Sequence, residues 1–138
     1  MPSFKIFDIA GSGMSAQSVR LNTVASNLAN ADSISGDPST VYKARHPVFE
    51  AVKTAMSQQQ GGGAAVRVNG IMESQATPNA RYEPGNPIAN ADGYVYAPNV
   101  NTVEEMVDMI SASRAYQNNV EVMNTSKDLM LATLRLGQ

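Results

Sequence analysis

Glu104, Glu105 and Asp108 crowd the stretch "TVEEMVD", with Glu104 and Asp108 one helical turn apart. In a loop, such carboxylates could hold a hard divalent cation. On a helix they offer too few oxygens, and no histidine joins them. "TVEE" reads more simply as a helix start. Thr102 is the expected cap, Glu105 the expected reciprocal partner, and all three acids lie where the helix dipole favours anions. His46 is the single histidine. A general base needs a nucleophile or acid held beside it, and "RHP" supplies neither. Pro47 instead points to an edge strand or a bulge. "SGDPS" and "QQQGGG" carry loop glycines, but neither ends in Gly-Lys-Ser/Thr or joins a strand to a helix, so neither is read as a phosphate cradle. With no cysteine there is no thiolate and no disulfide. The residues therefore point to no enzyme, no catalytic or cofactor-binding residues, no metal site and no cofactor. A small enzyme would need convergent polar groups in a pocket, which these residues do not suggest.

The totals narrow the classes further. The chain has 138 residues and a net charge of −2, the length of one domain, or of one domain with an appendage. No Lys/Arg cluster marks a nucleic-acid or acidic-membrane surface. Charged residues make up 16%, against about 25% in ordinary soluble domains. Asn, Ser, Gln and Ala take their place. No apolar run approaches the roughly 20 residues that span a bilayer. The first residues, "MPSFKIFDIAGSGMSAQ", lack a basic start and apolar block, so no cleaved secretory signal is expected. These rules alone would make the chain cytoplasmic.

Two long helices must position whatever the chain does. From about Phe4 to Ala31, steps of three and four give Phe7, Ala10, Met14, Gln17, Leu21, Val24, Leu28 and Ala31. This is a seam of coiled-coil type. The helix is intrinsically weak: Gly11 and Gly13 each cost about 1 kcal/mol against alanine. Between Ile9 and Ala31, Arg20 is the only charge. From about Thr102 to Leu136 a second seam reads Met106, Met109, Ser113, Tyr116, Val120, Met123, Lys127, Met130 and Leu134, broadened by Val103, Val107, Ile110 and Leu131. Arg135 suits the negative end of that helix, and Gly137 stops it. At 1.5 Å per residue the helices measure roughly 40 and 50 Å. Between them, breakers separate the strand-like runs "TVYKARHPVFEAV", "AAVRVNGIMES" and "YVYAP". "QQQGGG" reads as a mobile loop tip.

The expected fold is mainly α with a small β region. The terminal helices pair as an antiparallel coiled coil and the middle is rich in β-hairpins. Residues 1–34 and 100–138 form a helical unit, with 35–99 as a small β-rich insertion. Pairing buries the seams but leaves uncharged backs, which should pack on other chains. The candidate assembly residues on the first helix are Phe7, Met14, Leu21, Val24, Asn27, Leu28 and Asn30. On the second they are Met106, Ile110, Tyr116, Val120, Met123, Met130 and Leu134. Asn22, Asn27 and Asn30 could form side-chain ladders between subunits.

Two of these stretches, "SGMSAQSVRLNTVASNLANAD" and "PNVNTVEEMVDMISASRAYQNNVEVMNTSKDLMLATLRLG", resemble the N- and C-terminal signatures of bacterial flagellar axial proteins, which build the rod, hook and filament junctions. The middle runs "YKARHPVFEAV", "VRVNGIMESQ" and "YEPGNPIANADGYVYAPNVN" are similar to the proximal-rod members, as is the long link "NLANADSISGDPSTVYK". The resemblance implies a structural subunit of the basal-body rod, the drive shaft crossing the periplasm. It implies export by the flagellar type III route without a cleaved signal, and folding on joining the tip. The implied partners are further copies of the chain, the rod proteins FlgB, FlgF and FlgG, the rod-base protein FliE and the membrane ring. This replaces the cytoplasmic expectation. A small coiled-coil adaptor or export chaperone is the alternative, and it would hold its long helices formed as a free monomer or dimer.

Overall fold

The computed structural model describes residues 2–53 and 63–136. The elements run α1 (Pro2–Ala29), β1 (Arg45–Val52), β2 (Ala65–Glu73), β3 (Asn79–Tyr82), β4 (Tyr94–Ala97) and α2 (Thr102–Leu136). The protein is mainly helical, with two small antiparallel sheets. α1 ends where Asn30 turns its side-chain amide back to donate to the Ser26 carbonyl at 2.8 Å. That bond satisfies one of the carbonyls a helix end leaves open. α2 starts differently from the expected box. Asn101, not Thr102, is the cap: its Oδ1 accepts from the Val103 amide at 3.1 Å, and its carbonyl accepts from the Glu105 amide at 3.0 Å. Asn caps as well as Thr, and Glu105 is drawn inward instead of reaching back.

α1 is the element the others share. α2 lies antiparallel along one side of it. Asn27 meets Glu105, Arg20 meets Asp108, and Gly13 lies against Asn119, so the partners descend α2 as α1 ascends. β1 and β2 lie along a second side of α1. There Ser12 acts as a clip, its Oγ donating to the Ile9 carbonyl at 2.8 Å and accepting from the Val66 amide at 3.1 Å. β1 pairs with β2 from Arg45↔Glu73 to Val52↔Ala65, with an irregularity between Val48 and Phe49. His46 is exposed on β1, where a two-stranded ribbon has only edges. The "QQQGGG" run lies outside the described residues except for Gly63.

The strand in "NARY" carries no alternating pattern and is not among the strand-like runs expected from the sequence. It is held by its partner: Asn79↔Ala97 through Tyr82↔Tyr94 pair, and the two tyrosine rings meet edge-on at 5.3 Å. Gly93 closes this hairpin at φ +81°, a left-handed conformation that glycine adopts at no cost. The "SGDPS" loop docks on the same sheet through a two-way backbone pairing of Ser35 with Tyr96. Asp37 accepts from both the amide and the hydroxyl of Ser39, which holds its carboxyl below the ordinary aspartate range. The loop's polar groups serve the loop itself.

The buried apolar side chains are few and small. Among the described residues they are Ala10, Ala16, Ala44, Ala112, Val24, Val41 and Val95. By contrast, ten large apolar side chains stand exposed on α2 alone. At about 0.8 kcal/mol per buried methylene, such a core stabilises far less than the exposed side chains could.

Candidate assembly interface

The order of the helical pair is set by one polar hub. Asn27 is fully buried, and all four of its hydrogen-bonding positions are filled. Its Oδ1 accepts from the Tyr42 hydroxyl at 2.8 Å and the Arg45 amide at 2.9 Å. Its Nδ2 donates to the Arg45 carbonyl at 2.8 Å and to Glu105 Oε1 at 2.9 Å. Because Arg45 presents one donor and one acceptor, the amide can face only one way round. Asn27 thus ties together α1, the start of β1 and the start of α2. Tyr42 is steadied from two further sides, by the Ser26 hydroxyl at 3.2 Å and by the Arg45 guanidinium 5.6 Å from its ring centre. One turn further along, Arg20 pairs with Asp108 at 2.6 Å. Gly13 lets the helices close, since a Cβ there would lie 2.9 Å from Asn119 Nδ2.

Glu105 is the strained member. It is 5% exposed, and its second oxygen, Oε2, is buried without a partner. Burial pushes its carboxyl above the ordinary glutamate range, with smaller upward contributions from Asp108 and Glu104. The bond from Asn27 and the charge of His46 pull the other way. The folded state therefore holds this proton more tightly than the unfolded chain does. Relative to the ionised group, the stabilisation is complete below the ordinary value of 4.5 and is lost as pH rises through the raised folded value. Glu105→Gln keeps an acceptor for Asn27 and removes the ionisation. In heat-disassembly scans of isolated rods, the variant should gain on the natural chain as pH rises from 4.5 to neutrality. A difference that stays constant with pH would contradict this assignment.

The predicted assembly residues fall into three groups. Val24 and Asn27 are buried within the chain itself. Asn27 is therefore not available for a ladder between subunits, a correction that follows from its four internal bonds. Phe7, Met14, Leu21, Leu28 and Asn30 are half-buried along α1, and Val120, Met123 and Met130 along α2. Met106, Ile110, Tyr116 and Leu134 are exposed. The expected second seam is thus rotated. α1 meets the side of α2 that carries Glu105, Ala112 and Asn119, with Met109, Val120, Met123 and Met130 half-buried beside it, while Val103, Met106, Val107 and Ile110 face away. Small side chains allow the close approach, and Asn27 and Arg20 satisfy the polar groups that come with it. The sequence signals for the hub are an asparagine beside the seam, between Val24 and Leu28, and an acid at the fourth position of α2. Glu104, Glu105 and Asp108 do not converge, because Glu105 and Asp108 turn to α1 while Glu104 is exposed.

Comparison with known proteins bears on what these faces serve. Residues 7–33 match the family described as flagella basal body rod protein. Residues 91–136 match the flagellar basal body rod FlgEFG protein C-terminal family. Over its full length the chain is 55% identical to all of the flagellar basal-body rod protein FlgC of Salmonella typhimurium. It is 54% identical, again end to end, to the FlgC of Yersinia enterocolitica. Against the FlgC of Aquifex aeolicus it is 42% identical over 96% of each chain.

Proposed function

Because this chain belongs to the FlgC family of flagellar basal-body rod proteins, we infer that it builds the rod by packing its two terminal helices among those of its neighbours. It is a structural subunit and not an enzyme. The adaptor or export-chaperone reading is not favoured. The observation that carries the packing mechanism is the outward apolar side of α2: Val103, Met106, Val107 and Ile110 are each more than half exposed. In a free protein such a patch is a liability, whereas in a tube of helices it is a joint.

On this reading the helical unit comprises residues 1–34 and 100–138, and 35–99 is an insertion that makes outer contacts. The helices pair as a coiled coil within the assembled wall. Because each subunit is gripped on several sides, the wall transmits torque. The position is the proximal rod, crossing the periplasm, reached through type III export without a cleaved signal. The neighbours are further copies, FlgB, FlgF, FlgG, FliE and the membrane ring. Weak, charge-poor helices suit a chain that travels unfolded and orders on arrival. Deleting the gene should leave cells without rods, hooks or filaments, scored by electron microscopy of purified envelopes. Normal flagella in that strain would refute the reading.

A further inference from the structure

We propose that successive copies of this chain join side by side, the outward ridge of α2 in one copy seating on the free side of α1 in the next. This rests on the rod-subunit reading above. The ridge is Val103, Met106, Val107 and Ile110, exposed by 67, 57, 61 and 55%. At about 100° per residue Val103, Val107 and Ile110 lie roughly opposite Glu105 and Ala112, which face α1, and Met106 lies on their flank. The ridge is short, for the same side continues as Arg114, Gln117 and Glu121, all exposed. On α1, the side turned from both α2 and the β1–β2 ribbon carries exposed Ala25 and Ala29, edged on one flank by half-buried Leu21 and Leu28 and on the other by exposed Asn22, which borders the groove shared with Arg45 and Ile71.

Three features select this occupant. The first is level. The contacts of Asn27 with Glu105 and of Gly13 with Asn119 fix the register of the pair, and that register sets residues 103–110 beside residues 22–29. A neighbour at the same height thus offers an apolar surface to the ridge. Lower down, where α2 turns polar, α1 offers Ser18 and Ser15. The second is charge. Exposed Asp128 comes level with half-buried Lys5, and Lys127 comes within a turn of Asp8. A two-fold contact of ridge on ridge would instead bring the exposed Glu104 of both copies together. The third is closure. The two surfaces are different, so the contact is head-to-tail and propagates from copy to copy. On α1 the directions to its own α2 and to the next copy's α2 differ by roughly 140°, so the row curves.

The chain has no cysteine, which allows a clean test. Ala25→Cys with Val107→Cys, and separately Asn22→Cys with Ile110→Cys, are placed in the chromosomal gene of a motile strain, and isolated basal bodies are oxidised. Within one chain the paired Cα atoms are more than about 10 Å apart across the helix pair, too far for a disulfide. The expected result is a ladder of this chain's own dimers and larger oligomers in each double variant and monomers in every single variant. Dimers from Val107→Cys alone, a cross-link to a different rod protein, or assembled rods with no cross-link in either pair would each overturn the proposal. The rod-subunit reading would survive any of these, since it stands or falls on the deletion phenotype. Ala25→Glu, at an exposed site, should lower the yield of basal bodies about tenfold or more. Undiminished yield would also count against the contact.

Discussion

Replacing Asn27 by alanine should abolish swimming and leave few or no rods in envelope preparations. The substitution strands the Arg45 amide and carbonyl and Glu105 Oε1, all of which lose their bond to Asn27. The Tyr42 hydroxyl keeps only its 3.2 Å contact with Ser26. A buried polar group left unpaired costs about 1–3 kcal/mol, so the loss is on the order of 5 kcal/mol. That exceeds what a core of alanines and three valines can spare. Asn27→Asp separates polarity from pattern. The aspartate keeps the acceptor for Tyr42 and Arg45 but turns a second oxygen towards the Arg45 carbonyl and Glu105. It should fail at neutral pH as completely as alanine does. Near-normal swimming by either variant would mean that the hub does not order the helices.

The second large effect comes from placing one new charge at two different depths. Val24 is 3% exposed and Met106 57% exposed. Val24→Asp buries an unpaired carboxylate, at a cost of about 3–5 kcal/mol, and should prevent the helical pair from forming in any setting. Met106→Asp leaves a free chain unharmed, because its side chain already meets water there. In the rod, however, it sets a charge in a joint. Both variants should be non-motile, but for different reasons. Full motility of Met106→Asp would show that the outward side of α2 touches nothing.

Much of the fold was legible because periodicity survives without context. The steps of three and four from Phe7 to Leu28, and from Met106 to Leu134, placed both helices to within a few residues. The β1–β2 ribbon was likewise readable in its β-branched runs. The face that each helix turns inward was not readable. Hydrophobicity alone turned Met106 and Ile110 towards α1, yet the inward side is set by Asn27, Arg20 and Glu105, whose bonds cross 78 or more residues. Buried polar pairs of that separation leave no periodic trace. β3 was missed for a related reason: "NARY" is a strand only because Tyr94–Ala97 lies beside it. The candidate site divides in the same way. Exposure of the ridge at Val103 and Val107 follows once α2 is rotated, and that rotation required the hub.

The central claim is that this chain becomes ordered by being enclosed among subunits, its own core being too small to hold two long helices. Hydrogen exchange, followed by mass spectrometry on the dilute purified chain and on isolated basal bodies, tests it most directly. The account predicts amides of α1 and α2 that exchange within seconds in the dilute chain and stay protected for hours in the rod. Strong, cooperative protection of both helices in the dilute chain would contradict it.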